Sequence, residues 1–267
     1  MTAARTRLPQ RGFTQTVWYK VALRLLVLVL VLGTWQLMGD DQNRLTMPTF
    51  TRTLGALVEL ISTGALIEGL YITNQALVAG YLLSLAVSLP LGILLGVSLG
   101  AERVIQPYLT ILLAVPMISV VPIVQASLGL TLTARVAIVF LFAFIYMTIN
   151  TTVGVRGVDP RLRQMAASFG ASRLQMLRWV VLPGAVPAIM AGVRLGLGRA
   201  VIGMIIAELV LIGAGIGSLI IEYEVRIQPA YVFAIVLAVV LQGVLLMEIA
   251  RRIEQRLAHW RGAGAVE

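Results

Sequence analysis

The sequence predicts an all-α membrane protein with six transmembrane helices, and two observations carry that prediction. Of 267 residues, 59% are hydrophobic and only 12% are charged, against roughly 25% charged in soluble domains. The apolar residues fall in blocks, several of which reach the about 20 residues that cross a hydrocarbon core. The second observation is where the charge sits. All but Lys20 of the 21 basic residues are arginine, and most lie at the ends of apolar blocks, on the side expected to be cytoplasmic. The net charge of +9 is therefore a topology signal rather than a nucleic-acid footprint, and no nucleic-acid partner is expected. The absence of cysteine excludes disulfides and thiolate chemistry.

Residues 1–20 read as a cytoplasmic segment carrying Arg5, Arg7, Arg11 and Lys20. The apolar run 21–38 resembles a secretory signal. It ends in "TWQLMGDD" with no small-residue cleavage site and is longer than a signal core, so a retained first helix entering from the cytoplasm is expected. Residues 39–72 then lie outside. Within them Leu54, Leu57, Val58 and Ile61 recur at helical spacing behind Thr51 or Thr53 as caps, the pattern of a short amphipathic helix packed on the outer surface.

Residues 73–249 form the core, with spans expected at 73–99, 108–128, 134–152, 187–212 and 231–249. In this threading Arg103, Arg156, Arg161, Arg163, Arg173 and Arg178 fall inside, as do Arg251, Arg252, Arg256 and Arg261 of a tail at 250–267. Outside lie only Arg44, Arg52 and Arg226, with Arg135 near the outer end of the fourth span. Both termini are therefore expected in the cytoplasm of a multi-pass membrane protein, with lipid as its solvent. Gly92, Gly96 and Gly100 in the second span, and Gly192 and Gly196 in the fifth, repeat at the interval that lets helices approach closely. Pro116 and Pro122 each remove a backbone donor from the third span and are expected to bend it.

Several chemistries drop out. The phosphate loop of an ATPase needs a lysine in a glycine-rich turn, and the only lysine is Lys20. With His259 the only histidine, a zinc centre has no donor set, and His259 reads as a solvated tail residue. Glu208 is the one carboxylate deep inside a span, Glu248 falling at the very end of the last one, so the paired acids of an intramembrane hydrolase are missing and no enzyme is expected. Ionisable groups within spans are functional hypotheses by default. Arg194 reads as snorkelling or pairing with a neighbouring helix. Arg199 and Glu208 are candidates for a path or gate. For Glu208, pairing with Arg135 or with an arginine of a second copy is the competing role.

One stretch fits neither lipid nor water. "VDPRLRQMAASFG" supplies Asp159 as N-cap, Pro160 at the first helical position and Gly170 as a left-handed stop. "SRLQ" then sets Ser172 and Gln175 at capping-box spacing, opening a second short helix expected to end near Pro183. Ala166, Ala167, Phe169, Leu174, Met176 and Leu177 leave this loop, about 156–186, partly apolar. An ordinary loop packed on its own bundle and a docking knob both fit these residues.

The spacing resembles the EAA loop of ABC importer permeases: Glu-Ala-Ala, three residues, Gly, nine residues, Ile, any residue, Leu-Pro. Ala166, Gly170, Val180, Leu182 and Pro183 fall at pattern positions, with Val for Ile, while Gln164 and Met165 replace the Glu and the first Ala. Downstream, "AGVRLGLGRAVIGMIIAELV" is similar to the nitrate, sulfonate and taurine branch of these permeases. The resemblance implies a type I importer permease fold, two copies of which form a translocation path. It implies that Gln164, Met165, Ala166, Gly170, Ala171, Ser172, Leu174, Leu182 and Pro183 belong to a coupling loop seated on a cytoplasmic ATPase subunit. That subunit would bind ATP and Mg, so this chain needs no cofactor of its own. A periplasmic or lipid-tethered binding protein would deliver the solute. The rival reading is a secondary carrier or channel, whose inverted repeats and matched helix interruptions the sequence does not show.

Overall fold

The computed structural model describes residues 17–40, 47–211 and 214–257. Arg5, Arg7, Arg11, Arg44, Ile212, His259 and Arg261 lie outside the described residues, so the expectations placed on them are untouched. Among the described residues all regular structure is helical: α1 Val17–Met38, α2 Phe50–Ser62, α3 Ala65–Val97, α4 Leu99–Ala114, α5 Val121–Leu128, α6 Leu132–Arg156, α7 Pro160–Ser168, α8 Arg173–Met176, α9 Leu182–Leu211, α10 Ile216–Val225 and α11 Pro229–Leu257.

The core is α6, held between α3 and α9 by small residues. Gly80, Gly92 and Gly96 of α3 lie against Val139, Thr151 and Val155 of α6 in one constant parallel register. On the other face Gly192, Gly196 and Gly203 of α9 meet Asn150, Met147 and Phe142 in antiparallel register. A methyl added at Gly92 would stand 2.5 Å from Thr151 Cβ, so the glycines are what permits this separation. Polar side chains then reach across. Ser84 donates to the Phe140 carbonyl at 3.1 Å and Ser88 to the Phe144 carbonyl at 3.1 Å. Thr152 donates to the Gly92 carbonyl at 3.2 Å. In lipid such interhelical bonds hold packing that no hydrophobic effect supplies.

Among the described residues, five helices are long and apolar enough to cross a membrane. The sixth span is not one helix: α4 and the segment Met117–Leu128 meet at a 93° bend. The third span expected at 108–128 is thus broken, and it begins at Leu99. Pro116 is the cause, having no N–H to continue the ladder and forcing its predecessor out of helical geometry. Val115 is extended at φ −70°, ψ 127°. Pro122 instead sits in the first turn of α5, where a missing donor costs nothing, and bends nothing. Ser98 likewise ends α3 and caps α4 through the Ala101 N–H at 3.2 Å, so Gly100 belongs to α4 and packs against no neighbouring helix.

The amphipathic helix is α2, but its details differ from expectation. Its cap is Thr49, which accepts from the Arg52 N–H at 3.3 Å, rather than Thr51 or Thr53. Thr53, Ala56 and Leu60 are its buried face, while Leu54, Val58 and Ile61 are exposed. Ala56 and Leu60 pack with Leu66, Ile216, Ala234 and Ile235. A helix in lipid has no need to hide every apolar residue, so the apolar stripe did not mark the packed side. For the same reason α1 exposes Leu23 to Val31 almost throughout. It is fixed at one end, where Trp35 donates to the Pro48 carbonyl at 3.1 Å and lies 5.3 Å from the Phe50 ring.

Candidate functional site

The loop between α6 and α9 folds as a capped knob. Asp159 accepts the Arg161 N–H at 2.8 Å with Pro160 opening α7. Gly170 ends the helix at φ +76°. Its N–H bonds the Ala167 carbonyl at 2.9 Å and the Ala171 N–H bonds the Ala166 carbonyl at 3.0 Å, the paired bonds of a Schellman stop. A side chain at Gly170 would meet open space, so backbone conformation alone demands glycine here. Ser172 and Gln175 then close a reciprocal capping box at 3.3 and 2.8 Å.

One expectation fails. The second short helix does not end near Pro183. It passes through a π turn at Leu177–Val181 into α9, and 173–210 runs as one span of 38 residues. The wide turn, in which the Leu182 N–H reaches back to the Leu177 carbonyl, gives the proline ring room it lacks in a regular ladder. The knob and the core helix are therefore one rod.

The coupling-loop residues divide by exposure. Ala166 is buried, and Ala171, Leu182 and Pro183 are half-buried. Gln164, Met165, Ser172 and Leu174 are exposed. So are Phe169, at 85%, and Trp179, at 70%. Trp179 was not singled out from the sequence. Its position three residues past Met176 on a helix was the available signal. The root of the knob is tied to the bundle: Arg163 donates to the Val155 carbonyl at 2.5 Å, and Arg156 pairs with Glu102 and donates to the Leu95 carbonyl at 3.1 Å.

Farther along the rod stand Arg199 and Glu208, which have opposite fates. Glu208 is 1% exposed. Thr73 Oγ1 lies 2.8 Å from both its oxygens, the Gly217 N–H donates at 3.1 Å, and Arg135 Nη1 is 3.5 Å away. Thr73 also accepts the Ile216 N–H at 2.9 Å. Glu208 therefore anchors the start of α10 and pairs with Arg135 within the same chain. Gly215 at φ +83° leaves the room, since a side chain there would strike the carboxylate. Arg194 pairs with Glu254 of α11 at 2.5 Å, the second of the two roles, snorkelling or pairing, expected of it.

Arg199 has no acidic partner among the described residues. Its guanidinium lies over the Tyr146 ring, 4.3 Å from the centroid, and lines a cavity of about 340 Å³. The broken span supplies one wall through Leu112, Leu113, Pro116 and Ile118, and Phe142, Ile202 and Ile206 complete it. Centring an arginine in a bilayer costs about 3 kcal/mol on insertion scales. The ring offsets part of that, in the range of about 0.5–2 kcal/mol for a cation over an aromatic face.

A glycine-packed bundle of long apolar helices with one broken span is a multi-pass membrane protein. Residues 88–259 match the family described as "Binding-protein-dependent transport system inner membrane component", and the chain belongs to it. A Bacillus subtilis protein, SsuC, whose name assigns it to aliphatic sulfonates transport, is 32% identical over 90% of this chain and 87% of its own length. The taurine transport system permease protein TauC of Escherichia coli is 29% identical over 65% of this chain and 63% of its own. In fold, the chain matches a structure of the inward-facing MetNI methionine ABC transporter with TM-score 0.63. That match covers 72% of this chain and 95% of the other at 19% identity.

Proposed function

We propose that two copies of this chain form the translocation path of an importer in the bacterial inner membrane, with both termini cytoplasmic. A periplasmic or lipid-tethered binding protein delivers a small solute, and residues 159–183 seat in a cytoplasmic ATPase subunit that supplies the ATP and Mg site. The chain itself has no catalytic role. What carries this reading is the pairing of an exposed apolar tip, with Phe169, Leu174 and Trp179 outward, with an unbroken helical connection from that tip into the membrane. A force applied at the tip moves the core helix as a rigid body. A carrier or channel has no use for such a tip. The test is purification and reconstitution: the chain should co-purify with an ATPase subunit, and uptake into liposomes should require it. Uptake by liposomes holding this chain alone overturns the proposal.

A further inference from the structure

We propose that the cavity under Arg199 is a binding site for a small organic anion bearing an apolar tail, and that Arg199 holds the anionic head. This deepens the importer reading and rests on it. The argument begins with the other membrane-embedded arginines. Arg135 faces Glu208 and the half-exposed Arg194 faces Glu254, so the two other arginines set along the packed spans α6 and α9 within reach of this region each have a carboxylate. Arg199 has none among the described residues, and it lies near the middle of α9.

Its surroundings orient it rather than neutralise it. The Tyr146 ring covers one face of the guanidinium, which leaves the N–H edges free. Those edges form a planar fork suited to two oxygens of a sulfonate or carboxylate. The rest of the wall is aliphatic or aromatic: Leu112, Leu113, Phe142, Ile202 and Ile206. The cavity of about 340 Å³ falls within the about 300–1,000 Å³ of small-molecule sites. A lone fork in an apolar chamber selects for one charged head and a short hydrocarbon body. An inorganic dianion would leave charge uncompensated, and a neutral solute would leave the guanidinium unmet. The bend at Pro116 forms part of the chamber wall, so the walls are elements able to move without unfolding a helix.

The experiment uses the assembled permease–ATPase complex in lipid nanodiscs, with butane-1-sulfonate as probe and butan-1-ol and inorganic sulfate as controls, read by calorimetric titration. Wild type should bind butane-1-sulfonate saturably, and neither control should compete with it. Arg199→Gln should weaken that binding at least tenfold while co-purifying with the ATPase as wild type does. Arg194→Gln should leave it unchanged. Tyr146→Leu, which keeps the charge but removes the surface that orients it, should weaken binding less than Arg199→Gln. It also carries the test should Arg199→Gln fail to assemble. No saturable binding in wild type, or equal affinity in Arg199→Gln or in Tyr146→Leu, overturns the site. Failure of the wild-type chain to recover an ATPase overturns the importer reading instead, so the two failures are told apart.

Discussion

Replacing Glu208 by alanine removes the acceptor for Thr73 and for the Gly217 N–H and strips Arg135 of its carboxylate. Breaking a buried ion pair from one side costs about 3–5 kcal/mol, because the remaining charge stays buried and unmet. Arg135 keeps slight exposure, at 13% of its side chain, which favours the lower part of that range. The orphaned Gly217 N–H adds about 1–3 kcal/mol if no water reaches it. The losses share one network and do not sum, so about 4 kcal/mol is expected. For a chain of this size that lowers the unfolding midpoint by on the order of 10 °C. The assay is thermal unfolding of the purified complex followed by tryptophan fluorescence. Glu208→Gln keeps the shape and one acceptor, so its loss should be under half as large. In a cycle with Arg135→Ala, the double variant should lose clearly less than the two singles together. A midpoint within 2 °C of wild type for Glu208→Ala, alongside lost uptake, would refute the anchor and return Glu208 to the path.

Gly170→Val should leave the spans inserted while lowering both ATPase recovery and uptake. A left-handed residue with a side chain costs about 1–2 kcal/mol, and the alternative is to re-aim α8. ATPase pull-down alongside transport checks it, and unchanged values for both would reduce the knob to a plain loop. Gly92→Val should destabilise the bundle by at least about 2 kcal/mol, since its side chain collides with Thr151 and parts α3 from α6; the unfolding midpoint reads this. Ser172→Cys in this cysteine-free chain should react with a membrane-impermeant maleimide only from the cytoplasmic face. Labelling from outside would invert the topology.

What was legible in the sequence followed from local chemistry. Asp159, Pro160, Gly170, Ser172 and Gln175 each act through backbone bonds to residues within five positions, so spacing alone predicted the knob. The glycine faces were legible too, because only small residues allow the approach seen between α6 and its two neighbours. The break at Pro116 was anticipated as a bend, but its size was not, since 93° depends on how α5 packs against α6. The errors have a common source. Proline was expected to stop the helix at Pro183, whereas a π turn of a few residues absorbs the clash; that outcome depends on how Val181 and Ala185 pack. Of the apolar stripe expected on α2 only Leu57 packs against the core, because in and beside lipid apolar residues are stable on either side. Arg199 was flagged by its charge, yet Tyr146 beneath it was not, because a cation–ring pair between α6 and α9 leaves no pattern along the chain.

The order of features along one rod constrains how this permease works. From the tip inward come the exposed Leu174, the π turn that carries Trp179, Gly192 and Gly196 facing α6, Arg199, and finally Glu208. At about 1.5 Å per residue, Arg199 lies roughly 40 Å from the start of α8. Local softening carries a signal poorly over that distance, and a rigid tilt carries it well. The far end is tied by the Glu208 knot, and the near end rests on the Val155–Val181 cluster. Displacement of the tip therefore turns α9 about its tied end. The α9 wall of the Arg199 chamber, close to the Glu208 tie, moves less than the tip does, and it works against α5, which contacts the bundle through Val121 and its neighbours beside Ala134, Ile138 and Phe142. Opening and closing then reduces to one packed helix sliding against a short broken one. The glycine register between α9 and α6 must survive that motion, because Gly196 and Gly203 leave no slack against Met147 and Phe142. On this geometry α6 and α9 move together, and the bend at Pro116 is where the strain is taken up.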